Sequence, residues 1–339
     1  MTNFIGLDAH SKTCTFIAID DQGEITKEGV FNTNERNLST FFESLDGKVH
    51  VMLEETNIAQ WIYCILKEKV DKVIVCHAAY LPRKSGPKND YRDAQHLAIQ
   101  LRAGNYTEVY HEDHPLMHLR TLVRFYENAA IRLAVLKQNF KALCRSEGIT
   151  TQSSHHTSRN KDKVDEFKNP IKRAVAERIF DEMNDLEMKK QKWAAEFKSN
   201  KFDMPLVQKL CSIPGVGPVR GNTIAAYISV GHRFENKHKL WSYAKLIRHR
   251  DESDGYILRR RTPHGRSELK NAFMGAAQRV VMSPARSSLK EYYEYMVIKT
   301  NSKRKANKAL ARKIAAISLV IMKKGTKYND EVVKSSLIK

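Results

Sequence analysis

The chain has 339 residues, 42% of them hydrophobic and 28% charged, and a formal net charge of +20. That length supports two domains with cores of their own, and the composition is that of a soluble globular protein whose excess of cations suits an anionic partner. No run approaches the ~20 apolar residues of a membrane span, the start Met1-Thr2-Asn3-Phe4 lacks the basic opening of a secretory signal, and five scattered cysteines with no Cys-x-x-Cys pair exclude a disulfide framework or a cysteine zinc site and point to the cytoplasm.

The first hundred residues alternate strand and helix patterns. Residues 4–8, 13–19 and 25–31 read as strands, with Asp20-Asp21-Gln22-Gly23 as the turn between the second and third. Residues 37–45 have helical spacing, 48–54 form a buried strand, 58–69 a helix and 72–77 another buried strand. Residues 90–102 are helical, with Ala94, Leu97, Ala98 and Leu101 as the apolar stripe. The order βββαβαβα implies a mixed sheet with helices packed on it. It is the order of the ribonuclease H-like fold, and this is a resemblance of order and placement.

Residues 114–144 carry a long amphipathic helix pattern, and 148–161 read as a polar loop or hinge. Residues 164–198 are strongly charged, with a sparse stripe of Ile171, Val175, Ile179, Met183 and Leu186 that needs a helical partner to bury it. Pro170 kinks or starts that helix. The next segment opens with Leu210-Cys211-Ser212-Ile213-Pro214-Gly215-Val216-Gly217-Pro218, which resembles a helix-hairpin-helix element. Its glycines allow a tight turn, and amides at the following helix start can hold a phosphate. The expected domains are 1–150, 151–200 as a hinge with a helical, coiled-coil segment, and a mainly helical 201–339.

Charge divides the chain unevenly. Residues 1–200 hold 29 Lys and Arg against 28 Asp and Glu, and 201–339 hold 29 against 10, so +19 of the +20 lies in the second part. That part is the expected footprint on a polyanion.

Four carboxylates carry the chemistry. Asp8 ends the run Phe4-Ile5-Gly6-Leu7, and Glu54 ends Val49-His50-Val51-Met52-Leu53. Asp90 and Asp93 lie three apart, on one face of the helix that begins there. Such a set can hold one or two Mg²⁺ ions, which favour oxygen ligands and bridge carboxylates to substrate phosphates. Glu55 competes with Glu54, but alternation along the strand lets only one face the site. In the basic part, Leu246-Ile247-Arg248-His249-Arg250-Asp251-Glu252-Ser253-Asp254-Gly255 precedes Arg259-Arg260-Arg261 and His264-Gly265-Arg266. A serine bracketed by arginines can attack a phosphodiester, although serine in a polar turn is ordinarily only a turn residue.

The chain resembles the IS110 family of bacterial insertion-sequence transposases, which includes the Piv-type DNA invertases. The resemblance covers nearly the whole chain. It rests on Gly6-Leu7-Asp8, on Glu54-Glu55-Thr56-Asn57, on Lys88-Asn89-Asp90-Tyr91-Arg92-Asp93-Ala94 and on Ile213-Pro214-Gly215-Val216-Gly217. Further on, Lys245-Leu246-Ile247-Arg248 leads to Ser253-Asp254-Gly255, with a looser match around His264-Gly265-Arg266. Asn57 replaces a glycine, Arg248 stands where proline is usual, and Asp254 separates the serine from its glycine.

The resemblance implies a RuvC-like, ribonuclease H-like domain whose Asp8, Glu54, Asp90 and Asp93 are metal ligands and catalytic residues, and a C-terminal transposase domain whose Ser253 is the nucleophile. Ser242 and Ser267 are the alternatives to Ser253. Gly215, Gly217, Arg248, Arg250, Arg259, Arg260, Arg261 and Arg266 are the expected nucleic-acid contacts. It further implies double-stranded donor and target DNA, a structured bridge RNA that guides both, and a homodimer, joined through 164–198, that assembles into a tetramer. Two rivals remain: a junction-resolving nuclease that uses the carboxylates alone, and a nucleic-acid-binding protein without catalysis. Invertase and transposase share their chemistry and are not separated here.

Overall fold

The computed structural model describes residues 1–82, 89–151, 161–199, 204–253 and 256–335, without the side chains of 250–260. Two compact units emerge, Met1–Asp113 and His114–Lys339.

The first unit is built on a five-stranded mixed sheet. Strands β1 (Thr2–Ala9), β2 (Thr13–Ile19) and β3 (Ile25–Asn32) form an antiparallel meander. Strands β4 (Lys48–Glu54) and β5 (Lys72–Cys76) add in parallel beside β1, giving the order β3-β2-β1-β4-β5. Parallel addition requires crossovers, and helix α2 (Ala59–Leu66) supplies the one from β4 to β5. With α1 (Glu35–Glu43) it covers one sheet face. Leu38, Phe42, Ala59, Ile62 and Leu66 pack there on Ile5, Leu7, Phe16, Val51, Leu53 and Val75.

Helix α3 (Asp90–Ala103) takes the opposite face. Its Ala94, Leu97, Ala98 and Leu101 meet Phe4, Ile17, Ile19, Met52 and Ile74. The period-two alternation of β1 therefore sends Ile5 and Leu7 to one side, and Phe4, Gly6 and Asp8 to the side that α3 covers. Asn89 starts α3, its side-chain oxygen accepting from the Tyr91 N–H at 2.9 Å, and Gly104 ends it in the left-handed region at φ 68°.

Among its described residues, the second unit is helical apart from one hairpin. Helix α4 (Pro115–Ser146) is long enough to serve two cores. Its first half sends Leu116, Leu119 and Val123 into a cluster with α6 (Pro205–Cys211), α7 (Pro218–Ile228), α8 (Lys237–Tyr243), α9 (Ser267–Met282), α10 (Ser288–Thr300) and α11 (Lys303–Lys324), beside the short α12 (Asp330–Ser335). Its second half sends Ala129, Leu133, Phe140 and Cys144 against Ala176, Phe180, Met183 and Leu186 of α5 (Pro170–Ser199). The partner that the stripe of α5 requires is thus α4 of the same chain for Met183 and Leu186, while Ile171 and Val175 stay 75% and 43% exposed. Pro170 starts α5 at a position where its missing N–H costs nothing.

The turn between α6 and α7 contains a glycine that sterics demand. Gly215 has φ +83°, and a Cβ there would stand 2.3 Å from the Ala276 carbonyl oxygen of α9. Gly217 is the residue at which α7 begins.

Candidate active site

Asp8 lies near the end of β1 with its side chain 15% exposed. Its neighbour across the parallel pair follows from register, because Leu7 pairs with Leu53 and the next residues are Asp8 and Glu54. Both turn toward the face that α3 covers. That helix delivers Asp90 and Asp93 in its first turn, where the helix dipole favours negative charge. The delivery depends on Gly6. A Cβ on Gly6 would come 1.8 Å from the Ala94 carbonyl oxygen and 2.5 Å from the Ala98 nitrogen, so α3 rests directly on the backbone of β1. The glycine two residues before Asp8 is what lets the helix N-terminus reach it.

Burial pushes the Asp8 carboxyl above the usual carboxylate range. His10 opposes that, and Asp90, Asp93 and Glu54 add to it in that order. Three separate acids act on one half-buried carboxylate, and a divalent cation would relieve that repulsion. The tightest donor set is Asp8, His10 and Asp90, whose ligand atoms lie within 4.8 Å of one another, with His10 Nε2 3.3 Å from Asp8 Oδ2 and 4.0 Å from Asp90 Oδ1. Glu54 and Asp93 stand outside that set but within electrostatic reach of Asp8. His10 escaped the sequence reading. Its signal was spacing, since it lies two residues beyond Asp8 on the same strand edge.

Glu55 has a partner of its own. Glu55 Oε2 lies 2.5 Å from His111 Nε2, whose other ring nitrogen is 2.7 Å from Gln60 Oε1. Glu55 is held on that side, and Glu54 faces Asp8. Lys88 of the motif lies outside the described residues.

In the second unit, Ser253 is the last residue of β6 (His249–Ser253), which pairs with β7 (Tyr256–Arg261) through Ser253–Tyr256. Asp254 and Gly255, and the side chains of Arg250, Ser253, Arg259 and Arg260, fall outside the described residues. Register places Arg250 beside Arg260 and His249 beside Arg261. Of the alternative serines, Ser242 Oγ is 3.0 Å from His249 Nε2, and Ser267 Oγ accepts from Lys245 Nζ at 3.2 Å. Arg248 is exposed and belongs to a patch around Lys308. Burial lowers the Lys308 ammonium, and Arg312, Arg248, Lys270 and Arg304 lower it further. No carboxylate among the described residues forms an ion pair with any of these five, and a concentration of cations of this kind suits a polyanion.

Residues 5–146 match the transposase model of the DEDD group of IS110, and residues 207–294 match the model of the transposase IS116/IS110/IS902 family. The chain belongs to the IS110 transposase family. The two family segments bracket the two regions just described, the first holding all four acids and the second holding Gly215, Ser253 and Arg266. The Sinorhizobium fredii protein y4qE, which carries a transposase designation, is 24% identical over 255 residues, 72% of this chain. The match spans 63% of the length of y4qE. No helix among the described residues is long and apolar enough to cross a membrane.

Proposed function

We propose that this IS110-family chain is a DNA recombinase that excises and inserts a mobile element, using the four carboxylates as a Mg²⁺ site and a serine as nucleophile on a RuvC-like, ribonuclease H-like scaffold. The observation that carries the reading is the convergence of Glu54, Asp90 and Asp93 on half-buried Asp8 across the contact that Gly6 makes possible. Sheet order β3-β2-β1-β4-β5, with acids at the ends of β1 and β4, supports the fold assignment.

When bound, the metal ion supplies charge stabilisation at a scissile phosphate. Asp8 and Glu54 would hold it from rigid strand ends, and Asp90 and Asp93 would close the site from the helix. These carboxylates would give the ion oxygen ligands, and His10, with Nε2 3.3 Å from Asp8 Oδ2, would orient that carboxylate. The Ser253 hydroxyl attacks phosphorus, forming a serine–phosphate ester as the bond from phosphorus to the departing sugar oxygen breaks. The serine proton leaves as that sugar oxygen takes one up, and attack by a sugar hydroxyl of another strand end reverses the step and frees the serine. The ester keeps the bond energy for rejoining. Arg261 and Arg266, with Arg248, Arg250, Arg259 and Arg260, would neutralise phosphates of donor and target DNA. Gly215 and Gly217 would let the α7 start approach a backbone.

The proposal includes a structured bridge RNA that pairs with both DNAs. The net +19 of residues 201–339 suits an RNA as well as a DNA backbone. It also includes a homodimer that assembles into a tetramer, for which exposed Ile171 and Val175 on α5 offer a contact. A second reading of the nucleophile is favoured by one distance, that of Ser242 Oγ to His249 Nε2 at 3.0 Å, which places a base beside that hydroxyl.

The test is amplification of the excised junction from cells carrying the gene with its flanking DNA, at matched protein levels. The expected result is a junction from wild type and from Ser242→Ala, and none from Asp8→Ala or Ser253→Ala. A junction that survives Ser253→Ala and disappears in Ser242→Ala moves the nucleophile. One that survives both returns the chemistry to the carboxylates alone.

A further inference from the structure

Four residues distant in sequence meet at the C-terminal end of α7. Arg120, from α4, donates through Nε to the Ala226 carbonyl at 2.8 Å and through Nη2 to Ser229 Oγ at 3.1 Å. Arg233 donates through Nη1 to the Tyr227 carbonyl at 2.9 Å. Both guanidiniums therefore serve the last carbonyls of α7, where the dipole favours cations. Helix capping accounts for one or two of the five N–H groups on each. It leaves unexplained the residue toward which both also act. The Arg233 guanidinium carbon is 4.5 Å from the centre of the Tyr243 ring, and the charge of Arg266 acts on the Tyr243 phenol as well. Arg266 is locked there by its own backbone, whose N–H donates to the Tyr243 carbonyl at 2.7 Å. Gly265 is pressed so close that a Cβ would stand 2.0 Å from that same oxygen.

The phenol registers the field of this cluster. Burial by itself would raise its pKa, yet Arg233, Arg266 and Arg120 outweigh burial and hold it below its ordinary value of 10.0. Carboxylates lie near part of the cluster. Glu268 acts on Arg266, and Glu127 is the near neighbour of Tyr227. Among the described residues, no carboxylate forms an ion pair with Arg120 or Arg266. Three guanidiniums and a phenol hydroxyl that act on one another bring forked and single donors together, and these match the tetrahedral oxygens of a phosphate better than a planar carboxylate. Arg266 is exposed, so the cluster opens to solvent on its side.

We infer that Arg120, Arg233, Arg266 and Tyr243 form a binding site for one backbone phosphate of a nucleic-acid strand. The choice of strand rests on the proposed recombinase reading, whereas the phosphate chemistry rests on the cluster alone. The Tyr243 hydroxyl and the Arg266 guanidinium are the contacts that face the ligand. Arg120 and Arg233 tie the site to α7, so a strand held here has a fixed place on the second unit.

The test uses the full chain and two probes. Inorganic phosphate is added while the ionisation of Tyr243 is followed by ultraviolet difference absorbance against Tyr243→Phe. A bound phosphate dianion offsets the guanidiniums, so the titration midpoint should move up with phosphate concentration in wild type and stay fixed in Arg266→Gln. Duplex DNA binding is then measured at several salt concentrations near neutral pH. Arg266→Gln, which removes no cap of α7, should keep the wild-type melting temperature and reduce the slope of log affinity against log salt by about 0.9 for each protomer bound. A midpoint unmoved by phosphate, or an unchanged slope in Arg266→Gln, overturns the site. A phosphate response in a wild-type chain that yields no excised junction supports the site and sinks the recombinase reading, which keeps the two failures apart.

Discussion

Gly6→Ala gives the sharpest check on how the acids are assembled. The added Cβ would lie 1.8 Å from the Ala94 carbonyl oxygen, against the 3.4 Å at which ordinary contact begins, so α3 must retreat by about 1.6 Å. The obstacle is backbone, and no side-chain rotation relieves it. Overpacking of this kind costs about 1–3 kcal/mol, which for a unit the size of Met1–Asp113 lowers its melting temperature by roughly 5–20 °C. The larger effect falls on function. Asp90 and Asp93 move with the helix while Asp8 and Glu54 stay on the sheet, and a displacement of ~1 Å at a reacting centre costs on the order of 100-fold. The assay is thermal unfolding with and without Mn²⁺, paired with junction amplification. A control separates instability from misplacement. Leu97→Ala removes a fully buried side chain from the same helix and costs about 2–5 kcal/mol without pushing α3 off the strand. Gly6→Ala should lose both the metal-dependent rise in melting temperature and the junction, while Leu97→Ala keeps the metal response. If Gly6→Ala melts like wild type and retains its Mn²⁺ response, the close packing of α3 on β1 is not what builds the site.

Three further outcomes follow from charge. Because the Asp8 pKa is raised in the folded chain, its ionised form costs stability at neutral pH, and that cost shrinks as pH falls through the folded value and is gone below the ordinary 3.8. Asp8→Asn should therefore raise the melting temperature of the metal-free protein while lowering excision by roughly 100-fold or more, and a lower melting temperature would contradict the repulsion. Burial and the repulsion of Glu268, opposed by the hydrogen bond that the Tyr227 hydroxyl donates, raise Glu127 from 4.5 to about 7. The folded chain keeps that proton at pH values where the unfolded chain has lost it, so this contribution to stability is full below pH 4.5 and disappears as pH rises through 7. Glu127→Gln should then melt higher than wild type at pH 8 and alike at pH 4, by at most about 3 kcal/mol before solvent screening; a difference independent of pH would count against it. Neutralising Arg259, Arg260 and Arg261 together should reduce the salt slope of DNA binding by up to about 3, and an unchanged slope would remove them from the interface.

Local pattern was enough to place the elements of the first unit. Alternating and helical periodicities put β2 at 13–19, β4 at 48–54 and α3 from residue 90, where the structure has them, because those signals come from burying one face of one element. The four acids were legible for a related reason, since each sits where a strand ends or a helix begins. The hairpin of β6 and β7 was not legible, because charged residues such as Arg250, Asp251, Arg259 and Arg260 carry no apolar alternation to mark a strand.

The sequence by itself determined the alternation of β1 that sends Gly6 and Asp8 to one face, the paired acids one helical turn apart, and the concentration of +19 in residues 201–339. Tertiary structure decided the rest. It held Glu55 on His111, a residue 56 positions away, and left Glu54 acting on Asp8, and it brought His10 beside Asp8 and Asp90. It spent Met183 and Leu186 of α5 on α4 of the same chain, and it gathered Arg120, Arg233, Tyr243 and Arg266 at one helix end. Those outcomes depend on distances between segments that no local periodicity encodes. A strand's spacing states which face a side chain takes, but only the packed chain states what waits on that face.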